Sequence, residues 1–320
     1  MSAAVPDGVL SAVSRLVSAV RTVYRGPAIA VEHAVVCLLS RGHLLIEDVP
    51  GVGKTTLAMA LGKALGLGVH RLQFTPDTLP SDILGLTIFN QQSQAFEFHP
   101  GPIFTPILVA DEINRATPKT QAALLEAMNE RGVTVDGETR RLPEPFLVLA
   151  TQNPIEYLGT YPLPESQLDR FLMRIALGYP AAEEERALLL SGGADRALAT
   201  MRPVLTLTEL KQAQTAVEAV TVADKLLDYV MALVQRTRAS RDLVLGVSPR
   251  GAQGLFRAVQ AHALVAGRPF ATPDDVKKVA PAVLAHRVLA SATGRYEGTG
   301  AGRRERETVQ KILDEVAVPL

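Results

Sequence analysis

Leu44-Leu45-Ile46-Glu47-Asp48-Val49-Pro50-Gly51-Val52-Gly53-Lys54-Thr55-Thr56 sets a short apolar run, a glycine-rich turn and a Lys-Thr pair in immediate succession. The run Leu44-Leu45-Ile46 has the length and composition of a buried strand. Leu57, Leu61 and Leu65 follow at helical spacing. Strand, glycine-rich turn and helix make an anion cradle, because the N–H groups of the turn and of the first helical residues converge on one point. Gly51 and Gly53 allow dihedrals and a close approach that a Cβ would block. Pro50, Gly51, Val52, Gly53, Lys54, Thr55 and Thr56 are thus the candidate phosphate-binding residues. Lys54 would reach β- and γ-phosphates and the Thr55 hydroxyl would hold Mg²⁺. The usual spacing, G-x-x-x-x-G-K-[ST], has glycine where this chain has Asp48. Aspartate tolerates turn conformations, so the loop can close, with its carboxylate directed away from the phosphates.

Similar short runs recur on either side of helical patterns: Val69 to Phe74, Ile107 to Ala110, Phe146 to Ala150 and Met173 to Leu177. Buried parallel strands alternating with helices predict an α/β layer fold up to residue 178. From Tyr179 onward the reading is all-helical. Leu226, Leu227, Val230, Leu233 and Val234 fall at helical spacing, with Thr221 and Asp224 as a capping box. Thr272-Pro273-Asp274-Asp275 opens another helix, and Val309, Ile312, Leu313 and Val316 mark the last. Gly294 to Gly302 reads as a loop inside this second unit, and the mixed-sign run Arg303 to Glu307 as a solvated helix start. The expected division is 1–178 and 179–320.

Ile107-Leu108-Val109-Ala110-Asp111-Glu112 ends a strand in two acids, and strand C-terminal ends are where ligands sit in open α/β sheets. Asp111 would hold Mg²⁺, and Glu112 would orient or deprotonate an attacking water, which hydrolysis needs and a dry transfer does not. Asn153, after Phe146 to Gln152, could donate to the γ-phosphate or to that water. Positive charge on a developing phosphoryl transition state has the largest effect, so Arg170 and Arg250 are candidates to join Lys54, with Arg174 as the alternative for either.

These motifs together resemble the MoxR family of AAA+ ATPases over nearly the whole chain. The resemblance rests on Gly42 to Thr55, Gln73-Phe74-Thr75-Pro76-Asp77-Thr78-Leu79-Pro80-Ser81-Asp82-Ile83, Gly101-Pro102-Ile103 and Asp111-Glu112-Ile113-Asn114-Arg115-Ala116. It rests also on Ala150 to Pro154, Leu163 to Phe171 and Ser248-Pro249-Arg250. It implies a P-loop core with a five-stranded parallel sheet in αβα layers, an inserted hairpin between Ile83 and Gly101, a second near Val133 to Arg140, and a helical lid. It further implies ATP hydrolysis in a ring, a hexamer, with Arg170 acting on a neighbour's nucleotide and Arg250 on the lid reading the γ-phosphate. Gly26 falls where such proteins line the adenine pocket. Chaperone-like work on client proteins, with a von Willebrand factor A-domain partner, is the implied role.

Lys+Arg and Asp+Glu are both 33, so bulk attraction to nucleic acid is not expected. No apolar stretch reaches the roughly eighteen residues that span a bilayer. Met1 to Gly8 shows no secretion signal, so a cytoplasmic protein is expected. His43, His70, His99 and His286 lack ligand spacing, and Cys37 in an apolar run reads as core. Phe96-Glu97-Phe98 alternates as a hairpin strand that could touch a partner. Two other readings stand beside the ATP-driven remodeller: a nucleotide-dependent scaffold with little turnover, and a DNA motor on the same fold. A GTPase is disfavoured by the absence of an Asn-Lys-x-Asp sequence.

Overall fold

The computed structural model describes residues 5–49, 51–153, 159–191, 193–291 and 302–318. Two helices, α1 (Asp7–Val23) and α2 (Ala28–Leu39), precede β1 (Leu44–Glu47) and α3 (Lys54–Leu65). Then come β2 (Val69–Gln73), the short α4 (Pro80–Leu84) and the hairpin β3 (Gly85–Asn90) and β4 (Ala95–Pro100). β5 (Ile107–Asp111) and α5 (Pro118–Glu130) lead to a second hairpin, β6 (Gly132–Val135) and β7 (Glu138–Arg141). β8 (Leu147–Gln152), the single turn α6 (Glu165–Leu168) and β9 (Met173–Ile175) complete the core. The sheet has five strands in the order β2-β5-β8-β1-β9, all parallel. All five expected strands are present, and both hairpins lie where the family resemblance puts them.

The uninterrupted apolar runs follow from burial on both faces. Leu44, Ile46, Ile107, Val109, Leu147 and Leu149 join one apolar cluster with α1, α2 and α3. Their alternating neighbours Leu45, Leu108, Ala110, Val148 and Ala150 join another, with α5. The first cluster continues into the C-terminal half through Leu210, Leu255, Val259, Val276 and Val283, so one apolar core crosses the 178/179 line.

That half contains α7 (Ala182–Ser191), α8 (Ala194–Thr200), α9 (Leu207–Ala216), α10 (Asp224–Ala239), α11 (Pro249–Val265), α12 (Pro273–Leu284) and α13 (Arg303–Glu315). Its described residues are helical apart from a single parallel bridge between Thr221 and Phe270 and one short antiparallel pair, β10 (Leu243–Leu245) with β11 (Leu289–Ala290), whose few residues leave too weak a period to read. The expected Thr221–Asp224 capping box does not form. Ala223 is the N-cap, and Thr221 lies extended, exchanging backbone bonds with Pro269 and Ala271. Leu227 is exposed, whereas Leu226, Val230, Leu233 and Val234 are buried. Thr272 does cap α12, its N–H donating to Asp275 Oδ2 at 2.7 Å, and Ser248 caps α11, its Oγ accepting from Gly251 N–H at 3.0 Å. In the loop from Gly294 to Gly302, only Gly302 lies within the described residues. Among them, no helix is long and apolar enough to cross a membrane.

The lid is fastened to α2 by a buried charge cluster. His262 Nδ1 is 2.6 Å from Asp275 Oδ1, its Nε2 is 3.8 Å from Glu32 Oε2, and Arg268 Nη2 is 2.6 Å from Asp275 Oδ1. Burial pushes the His262 pKa down, but the carboxylates of Asp275 and Glu32 outweigh it and raise the pKa. A raised histidine pKa stabilises the fold fully below the unfolded value of about 6.5, and this is lost as pH rises through the folded value. The melting-temperature gap between wild type and His262→Gln is therefore expected to be widest on the acid side of neutrality and to narrow toward alkaline pH. A pH series of thermal melts reads this directly.

Candidate functional site

β1 stops at Glu47 and α3 starts at Lys54 with Gly53 as N-cap. Gly51 and Gly53 have φ of +86° and +89°, a region that L side chains rarely adopt. The first bond of α3 runs from Leu57 N–H to Gly53 O, so helix geometry turns the N–H groups of Lys54, Thr55 and Thr56 out of its N-terminus. Lys54 Nζ donates to the Asp48 carbonyl at 2.5 Å. Burial pulls its pKa down, against the opposing pull of Asp48, Asp111 and Glu112, which places all three acids near one ammonium. Val52 is buried beneath the turn, and Pro50 lies outside the described residues.

Asp48 explains how this loop manages without its usual first glycine. Its Oδ1 accepts from Val49 N–H at 2.8 Å, and its Oδ2 accepts from Leu177 and Gly178 N–H, both at 2.7 Å. The carboxylate thus points away from the cradle and ties the loop to the chain leaving β9. Tyr24, whose part the sequence did not reveal, backs the loop on the other side. A Cβ on Gly53 would sit 3.3 Å from its ring, and one on Gly26 only 2.2 Å from its hydroxyl oxygen. Burial, then the Asp48 charge, push the Tyr24 hydroxyl pKa up to about 12, so it stays protonated. Gly26 lines a shallow pocket with Arg21, Tyr24 and Glu184 beside the phosphate loop.

Asp111 is 8% exposed at the end of β5. Its Oδ1 accepts from Thr151 Oγ1 at 2.8 Å, and its Oδ2 from Arg71 Nε at 2.7 Å. The Thr151 hydroxyl also accepts from Glu112 N–H at 3.0 Å, so one side chain spans both acids. Glu112 takes φ of +57°, a left-handed conformation that costs about 1–3 kcal/mol in a non-glycine residue. Its Oε2 accepts from Gln73 Nε2 at 2.7 Å and lies 3.0 Å from Arg115 Nε. Arg71 and Gln73 were not picked out as site residues. They share one face of β2, and only the register Gln73↔Asp111 reveals where that face points. Asn153 is buried just past β8, and Asp48 N–H donates to Gln152 O at 3.3 Å. Phosphate loop, acids and Asn153 therefore gather at the C-terminal edge of β1, β5 and β8. The hard oxygens of Thr55 and Asp111, both at this edge, suit Mg²⁺ that arrives with a phosphate chain.

The arginines do not join them. Arg170 and Arg250 line one groove together with Ser40, Gly42 and His43, at the N-terminal end of β1. The four residues of β1 put about 13 Å between that edge and the phosphate loop. β9 runs parallel to β1, so a residue before β9 must lie at the edge opposite a loop after β1. The lid delivers Arg250 to the same groove, where Nη2 donates to Asn129 Oδ1 at 2.6 Å. Neither arginine meets Lys54 within one chain: for Arg170 the resemblance implies a neighbour's nucleotide in any case, and Arg250 lies at the edge away from its own chain's phosphate loop. Arg174 is no alternative at that surface. It is 7% exposed within β9, 3.5 Å from Glu47, and a Cβ on Gly302 would come 2.4 Å from its guanidinium. Among the remaining polar residues, His43 is a core group, its Nδ1 accepting from Val148 N–H at 3.0 Å, and Cys37 is fully buried.

The profile of the "ATPase family associated with various cellular activities (AAA)" matches residues 43–173, and that of the "AAA lid domain" matches 235–312. YeaC of Bacillus subtilis, itself uncharacterized, is 47% identical over 88% of this chain and 87% of its own length. Chaperone MoxR1 of Mycobacterium tuberculosis is 40% identical over 95% of this chain and 82% of its own. A crystal structure from Cytophaga hutchinsonii superimposes with a TM-score of 0.85 at 34% identity, covering 98% of this chain and 96% of that one. With the sheet order, the phosphate loop and the helical lid, these likenesses show that the chain belongs to the MoxR family of AAA+ ATPases.

Proposed function

We propose that this protein hydrolyses ATP with Mg²⁺ at the junctions between copies of itself in a closed ring, a hexamer, and uses the cycle to remodel partner proteins. The observation that carries this reading is the separation of the two groups of residues to opposite edges of one sheet. A copy that offers its N-terminal edge to the C-terminal edge of the next would complete the site. Such a head-to-tail contact closes a ring when its rotation divides a full turn evenly and carries no rise.

In that junction the N–H groups around Gly51, Val52, Gly53, Lys54, Thr55 and Thr56 would hold the phosphates, and Gly26 with Tyr24 would border the base. Thr55 and Asp111 would hold Mg²⁺, which neutralises charge on the β- and γ-oxygens when bound. Glu112 would take the proton of the attacking water and Asn153 would position it. Arg170 and Arg250 would come together from the neighbouring copy, onto the charge that develops on the γ-phosphoryl group. This departs from a lid arginine reading its own chain's nucleotide. One relative bears the name Chaperone MoxR1. With it, the family resemblance supports a chaperone role in the cytoplasm, with a von Willebrand factor A-domain partner and a client protein. We infer two working units, a core of 1–178 and a lid of 179–320, that share the apolar cluster described above.

Lys54→Ala is expected to abolish nucleotide binding in a fluorescent-analogue titration; unchanged affinity would remove it from the phosphate site. Glu112→Gln should keep ATP bound while turnover falls about 10²–10⁴-fold, the usual worth of a general base. Mixing Glu112→Gln subunits with Arg170→Ala subunits should restore ATPase activity, because each supplies what the other lacks across a junction. Arg250→Ala subunits should be rescued in the same way. Rescue of Arg170→Ala but not Arg250→Ala would return Arg250 to its own chain's nucleotide.

A further inference from the structure

The turn Ala285–Arg287, between α12 and β11, carries a buried cation that the chemistry above does not use. The Arg287 side chain is 4% exposed. Its Nε donates to Asp169 Oδ1 at 2.7 Å, its Nη2 to Phe171 O at 2.6 Å and Asp169 O at 3.3 Å, and its Nη1 to Leu172 O at 2.9 Å. Nη1 also donates to Val283 O, on the lid's own helix. His286 adds a bond from the same turn, with Nε2 3.0 Å from Phe171 O. A carbonyl only accepts, so Nε2 carries the proton, and burial keeps this imidazole neutral.

A buried guanidinium is tolerated only when its donors are satisfied. Here they are satisfied by one carboxylate, by the carbonyls of Asp169, Phe171 and Leu172, which bracket Arg170, and by the carbonyl of Val283 on α12. The other side of Arg287 faces the first turns of α11. A Cβ on Gly251, the residue after Arg250, would lie 2.9 Å from Arg287 Cδ, and one on Gly254 would lie 3.8 Å from Nη2. One planar side chain therefore fills the space between the segment that bears Arg170 and the helix that bears Arg250.

We propose that Arg287 is a positioning residue, locking Asp169–Leu172 to the start of α11 so that Arg170 and Arg250 face a neighbour's nucleotide as one rigid pair that moves with the lid. This rests on the reading that both arginines act across a junction. A misplacement of about 1 Å can cost a hundredfold in rate, so the fork's geometry, and not only its charge, matters.

The test uses Arg287→Gln and, as a milder variant that leaves the carbonyl bonds possible, Asp169→Asn, both in the full chain. Steady-state ATPase of Arg287→Gln rings should fall roughly a hundredfold in kcat, with the affinity for a fluorescent ATP analogue unchanged, because the phosphate loop is untouched. Mixing with Glu112→Gln subunits should restore turnover to the level reached by Arg170→Ala in the same mixture. A wild-type rate for Arg287→Gln would overturn the proposal. So would rescue of Arg170→Ala without rescue of Arg287→Gln and Asp169→Asn, since the variants would then be failing at their own nucleotide or in folding. If Arg170→Ala itself is not rescued, the junction reading fails, and the lock is judged by hydrogen exchange alone. Amide protection over 169–173 and 248–254 should drop together in Arg287→Gln while the phosphate-loop helix keeps its protection; unchanged protection would overturn the lock. If Arg287→Gln does not fold, Asp169→Asn decides by the same readouts.

Discussion

All five strands of the central sheet run the same way, and this shared direction sorts the chemistry of the molecule. Whatever follows a strand emerges at one edge: the phosphate loop after β1, the acids at the end of β5, Asn153 after β8. Whatever precedes a strand enters at the other, as Arg170 does before β9. Parallel pairing persists when both faces are covered, and here two apolar clusters cover them with alternating residues of the same strands. A slip of one residue in any strand would exchange its two faces and bring that strand's side chains to the wrong layer.

The C-terminal edge is held in shape by side chains that need not touch phosphate. Asp48 binds the loop to the exit of β9, and Thr151 bridges Asp111 to the backbone of Glu112. Arg71 and Gln73 of β2 each hold one of the two acids. These bonds offset the left-handed backbone at Glu112, and they set two adjacent carboxylates in different surroundings: Asp111 buried beside Arg71, Glu112 half-buried between Gln73 and Arg115.

The N-terminal edge is built differently, by packing of the lid. α11 lies against α2 and α12, and the Ala285–Arg287 turn hooks the backbone ahead of β9. A change in lid angle is thereby coupled through hydrogen bonds, and not merely through apolar contact, to the residues on either side of Arg170. The His262–Asp275–Glu32 cluster fastens the same lid to α2 and makes part of that attachment sensitive to pH.

Local chemistry was legible without coordinates. The five strands, the cradle around Gly51 to Thr56, the acids at a strand end and the Thr272 cap all depend on residue type and short-range spacing, which a linear reading captures. The outward turn of Asp48 could be anticipated because a carboxylate and a phosphate repel. Thr221 was misread because its backbone pairs with residues near Phe270, far along the chain, and no local pattern records that bond. Arg71, Gln73, Tyr24 and Arg287 were hidden for the same reason: their partners are set by strand register and helix packing. The composition and order of residues determined a strand, glycine-rich turn and helix shaped to cradle an anion, and which side chains could serve it. Folding in three dimensions decided that the arginines lie at the far edge of the sheet, because strand direction and lid docking, unlike spacing, are properties of segments brought together from distant parts of the chain.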